Sequence, residues 1–133
     1  MKSVYFLIAA ALLSGSKAFA ADNATCLARI MNAESRGESL EGLVSIGQSA
    51  ITRAEDTDSN LCDVPGVHRK RPSKSMAEYY LAVARELLAH PSTSVSHGAN
   101  HWNAGSKPAH PGKVTRQIDN HVFYTIKPKG EKK

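Results

Sequence analysis

Apolar residues recur at helical spacing in three stretches of the chain and alternate with polar ones near its end. Leu27, Ile30 and Met31 stand at i, i+3 and i+4, the stripe of an amphipathic helix that Thr25 would cap from Cys26 onward. The next position on that stripe is Glu34, and Gly37 closes the segment as a C-terminal glycine does. Ser39 is placed to cap a second helix with Leu40, Leu43, Val44, Gly47 and Ile51 on one face. A polar loop, 56–60, and a basic, proline-punctuated stretch, 65–72, separate it from a third. There Ser75-Met76-Ala77-Glu78 reads as a capping box, with Met76, Tyr80, Val83, Ala84, Leu87 and Leu88 inward and His90-Pro91 as the stop.

Beyond Pro91 the period shortens. Residues 99–103 and 121–126 read as two short strands around a Gly/Pro-rich connection, 104–112. In the second strand Val122, Tyr124 and Ile126 alternate with His121, Phe123 and Thr125, the pattern of a strand buried on one face. The fold class expected is α+β, about three helices followed by a short antiparallel sheet or hairpin. No internal repeat is present, and 133 residues suffice for one domain, not two.

The first twenty residues belong to a different kind of segment. Lys2 precedes an unbroken apolar run, 4–13, and Ala18-Phe19-Ala20 is a small-x-small cleavage pattern. The run is shorter than the roughly 20 residues of a membrane span. The expected division is therefore a signal peptide at 1–20, a domain at 21–127 and a basic tail at 128–133, in a protein exported to the periplasm or to the cell exterior and its wall. Export makes Cys26 and Cys62 a disulfide pair in the first instance, since oxidising compartments favour the bond. The net charge of +5 suits an anionic wall or membrane surface. No basic run interleaved with aromatics supports nucleic acid as a partner.

Glu34 is the residue most out of place. A carboxylate on an apolar helical face loses hydration, which raises its pKa toward the range of a general acid. The competing reading is an ion pair with Arg29, Arg36 or Arg53. Glu38 suits a cap or an arginine partner better than a second catalytic carboxylate.

The run Cys26-Leu27-Ala28, then Ala33-Glu34-Ser35-Arg36-Gly37-Glu38, Gly42, Arg53 and finally Asn120-His121-Val122-Phe123-Tyr124 resembles the SleB-type cell wall hydrolases, relatives of the spore cortex-lytic enzymes. The resemblance spans about residues 26–126, in the family's order. It implies a small lysozyme-like domain that cleaves the MurNAc–GlcNAc bond of peptidoglycan as a lytic transglycosylase or muramidase, with Glu34 as catalytic glutamate and no cofactor. It also implies a single-carboxylate route, because the attacking hydroxyl belongs to the substrate. A cysteine at each of the places held by Cys26 and Cys62 is common in that family. Thr52 before Arg53, the basic stretch 64–75 and the segment Ala99-Asn100-His101-Trp102-Asn103 depart from its pattern.

His121, Trp102 and Tyr124 are the candidate substrate contacts. His121 would meet Glu34 or a sugar, and the aromatics would stack on sugar rings or pack in the core. His97, His101, His110 and His121 keep open a zinc amidase, although their spacing matches no metalloprotease motif and no metal ligand is assigned. A wall-binding module without catalysis is the third reading. A monomer is expected, with glycan strands as partner and no stable membrane insertion after signal cleavage.

Overall fold

The structure, a computed structural model, describes residues 23–34, 38–64 and 73–127. The expected signal peptide, the basic tail, Gly37 and the proline-punctuated stretch fall outside the described residues. Within them the order is helix α1 (residues 23–34), helix α2 (Leu40–Asp56), a 3-10 turn (Leu61–Asp63), helix α3 (Lys74–Ala89) and strands β1 (His101–Ala104), β2 (Lys113–Ile118) and β3 (His121–Thr125). This is the α+β class expected, with the helices first and a small antiparallel sheet after them.

The local signals are partly as read and partly shifted. Ser39 caps α2, its hydroxyl accepting from the Gly42 amide at 3.1 Å. Thr25, expected as a cap, lies inside α1. The cap of α3 is Ser73, which accepts from the Met76 amide, so the Ser75 capping box is not formed. Starting two residues earlier also leaves Met76, expected inside, 40% exposed.

α2 is the centre of the fold. Eight of its residues between Gly42 and Ala50 are buried, on more than one face. Leu43, Ile46 and Ala50 join Leu27, Ile30 and Met31 of α1 and Tyr80, Ala84 and Leu87 of α3 in the core. Gly47 permits this crossing. A Cβ there would come within 2.4 Å of Leu87 Cδ1 and 3.0 Å of Met31 Sδ. Leu40, expected on the buried face, is exposed, because the buried arc is centred further round the helix, near Ile46.

The sheet has the order β1-β3-β2, with β3 paired antiparallel on both sides. The sequence reading lacked β2. A bulge at Thr115 breaks the two-residue period between the pairs Val114–Tyr124 and Arg116–Phe123. Of β2's six residues only Ile118 is buried. The available signal is the two-residue turn Asp119-Asn120 between Ile118 and His121, with Asp119 at φ +51°.

Being central, β3 is buried on both faces rather than one. Phe123 enters the helical core, while Val122 and Tyr124 are buried on the opposite side. The disulfide joins Cys26 of α1 to Cys62 of the 3-10 turn. No described helix is long and apolar enough to cross a membrane.

Candidate functional site

Glu38 and Ser39, immediately ahead of α2, meet the β2–β3 turn. Glu38 Oε1 and His121 Nδ1 lie 2.6 Å apart, with their side chains only 5% and 8% exposed. With Nδ1–H as the donor, the Glu38 carboxyl oxygen accepts. The Asn120 amide makes a longer contact, 3.5 Å, to Glu38 Oε2. One residue further along, Ser39 donates to Asp119 Oδ2 through its amide, at 2.8 Å, and through its hydroxyl. These bonds from Ser39, the hydroxyl first, hold the Asp119 carboxyl below the usual carboxylate range.

Two consecutive residues ahead of α2 are thus tied to three consecutive residues of the hairpin. Gly42 allows the approach. A Cβ there would stand 2.9 Å from Asp119 Oδ2 and 3.3 Å from Glu38 Cβ. Glu41 and Arg116 add an ion pair between the first turn of α2 and strand β2. Arg116 also donates to the Val95 carbonyl at 3.0 Å. The side-chain Oε1 of the buried Gln48 accepts from the amides of Val95 and Ser96, so the turn before β1 is pinned to the same helix.

Glu34 occupies the last described turn of α1, four residues before Glu38, and is half-buried. The dry setting expected from its place on the apolar stripe is only partly present. Among the described residues the ion pairs are His90–Glu86, Arg116–Glu41 and His121–Glu38, and Glu34 is in none of them. The arginine pairing weighed for Glu34 is not among these three. Arg36 lies outside the described residues.

The other candidates divide. His121, expected against Glu34 or a sugar, spends Nδ1 on Glu38 and has little surface left for a saccharide. Glu38, expected as a cap or an arginine partner, is instead that histidine's acceptor. Tyr124 is 1% exposed and offers no ring face for stacking. The reason is its central strand, together with the His101 ring at 5.6 Å and the close passage of Gly112, where a Cβ would lie 2.8 Å from Tyr124 Cδ2. Trp102 is half-buried and packed at the edge of the core.

His101 shares a hydrogen bond of 2.8 Å with the Asn100 side chain, which in turn donates to Asp56. Burial first, and then the positive charges of Arg53 and His110, hold its pKa below the usual 6.5, while Asp56 pulls the other way. Among the described residues no three His, Cys, Asp or Glu side chains are grouped to hold a metal ion.

Two cavities, of about 340 and 290 Å³, open beside the last turns of α2. The first is lined by residues such as Asn23, Ala54, Asp58 and Leu61, the second by Thr52 and Pro91 to Thr93, and Ile51 and Glu55 border both. Neither has Glu34 in its lining, and both lie at the end of α2 opposite the Glu38–His121 contact. Compared with known proteins, the chain matches no family, no curated protein and no solved structure.

Proposed function

We propose that the chain is an exported, single-domain peptidoglycan hydrolase that cleaves the MurNAc–GlcNAc bond as a lytic transglycosylase. Glu34 is its one proton-transferring carboxylate. The carboxylic acid gives its proton to the glycosidic oxygen as the bond from the MurNAc C1 breaks. The C6 hydroxyl oxygen of the same MurNAc then closes on C1, and its proton returns to the Glu34 carboxylate. No water is consumed, and the product ends in 1,6-anhydro-MurNAc.

The observation that carries this reading is the meeting of the two motif halves. Residues 33–38 and 120–124, on which the resemblance rests, are joined through Glu38 and His121 across 83 positions of sequence. Two unrelated coincidences of composition would have no reason to converge on one spot. Glu34 stands four residues from that contact, partly open to solvent, as a group that must reach a polymer does. Trp102, half-buried, remains a candidate platform for a sugar ring. The disulfide fits an oxidising compartment.

Mass spectrometry of digested sacculi tests the claim. Anhydro-muropeptides are expected, and hydrated reducing ends would reject the transglycosylase route in favour of a muramidase. Glu34→Gln keeps size and removes the acid, so turnover should fall at least about 100-fold with the fold intact. The competing reading, suggested by the small size and the net charge of +5, is a wall-binding module without turnover. That reading predicts sacculus binding with no released fragments from wild type.

A further inference from the structure

We infer that Glu38 and His121 are positioning residues for Glu34, holding the end of α1 in the geometry that proton transfer requires. The inference rests on the catalytic reading of Glu34. It starts from a physical oddity: a carboxylate and an imidazole are buried together, 5% and 8% exposed, in a domain that could have closed this seam with apolar side chains. Desolvating such a pair is costly, and hydrophobic replacements are often as stable or more so. What the pair supplies in return is direction. A bond of 2.6 Å between a carboxylate and one ring nitrogen fixes both side chains far more narrowly than apolar contact does.

The seam it fixes is the relevant one. Glu38 follows Glu34 by four residues, so the two Cα atoms lie within about 14 Å whatever path the intervening chain takes. Ser39 extends the clamp by binding Asp119, and Gly42 admits the turn to close range. Glu34 itself is held by α1, whose Leu27, Ile30 and Met31 are locked in the core. The chain on either side of Glu34 is thereby fixed, by the helical core before it and by the clamp at Glu38 four residues after it.

The experiment compares broken with preserved contacts. Glu38→Ala and His121→Ala break the bond. Glu38→Gln keeps an acceptor for Nδ1, and His121→Asn keeps a donor for the carboxylate. Turnover on purified sacculi, per mole of folded protein, should drop about 100-fold in kcat for the broken pair, with KM changed less than about threefold. The preserved variants should stay within about tenfold of wild type. Equal kcat per folded molecule in all four would mean the pair only stabilises the fold, and would overturn the inference. If the alanine variants do not fold, the double variant Glu38→Met/His121→Leu, which removes the bond and refills the seam with apolar volume, decides: a kcat about 100-fold down with KM held supports positioning, and wild-type kcat rejects it. Glu34→Gln runs alongside: if it turns over normally, the catalytic reading fails, whereas its inactivity beside fully active alanine variants fails the positioning alone.

Discussion

Reducing the Cys26–Cys62 bond should destabilise the domain by an amount that follows from its place in the chain. The bond closes a loop of 36 residues, running from α1 through the whole of α2 to the 3-10 turn. Chain-entropy reasoning gives roughly 13 cal/mol/K for a loop of that length, or about 4 kcal/mol at 25 °C. Against a total stability of about 5–15 kcal/mol, that is a large share. For a domain of this size 1 kcal/mol moves the melting temperature by about 4–8 °C, so the expected fall is roughly 15–30 °C. The assay is a thermal melt followed by far-ultraviolet circular dichroism, with and without a phosphine reductant, the free thiols being counted by mass spectrometry. A Cys26→Ala/Cys62→Ala variant should melt near the reduced protein. It should fall slightly lower, since Cys26 is buried at 6% exposure and its sulfur fills core volume. Fully reduced protein that melts within a few degrees of the oxidised form would refute the reasoning. It would mean that α1 and the 3-10 turn are held together, in both folded and unfolded chains, by something other than the bond.

Two further outcomes follow from the packing and the charges. Gly47→Ala places a methyl against Leu87 and Met31, and overpacking of about 1–3 kcal/mol outweighs a helix-propensity gain of about 1 kcal/mol. Chemical denaturation should show a loss of about 1 kcal/mol, and a gain in stability would mean that the Leu87 and Met31 side chains swing aside freely. His101 resists protonation when folded, so the unfolded chain takes up the proton first as pH drops below 6.5. Stability on this account rises with pH between the depressed folded value and 6.5, and is lost on acidification through that window. His101→Gln should narrow the difference in melting temperature between pH 7.5 and pH 5, and an unchanged difference would assign the acid sensitivity to other groups.

How far the sequence disclosed this molecule depended on how many constraints each element obeyed at once. The stripe Leu27, Ile30, Met31 was legible because helical period and burial coincide there. The Ser39 cap was legible because its side chain bonds a neighbour three residues on. β2 was hidden because an edge strand with one buried residue and a bulge carries almost no period. Leu40 misled because α2, surrounded by α1, α3 and the sheet, is buried on more than one face, and a single amphipathic stripe no longer describes it. The Glu38–His121 bond was invisible for another reason. Nothing in local pattern says that a carboxylate after one helix will find an imidazole 83 residues away, although the resemblance did place both residues in the motifs that matter.

That separation has a consequence for the order in which the molecule comes into being. Contacts between distant parts of a chain form late, since the intervening loop must be closed before they give anything back. α1 and α2 adjoin in sequence and can form a helical hairpin early, yet the tie at Glu38 and Ser39 waits for the last strand to be made and paired. A ribosome-bound or half-folded chain therefore has the glutamate of α1 without the hairpin that steadies it. On the function proposed above, the enzyme is born inert and becomes competent only when its final hairpin docks.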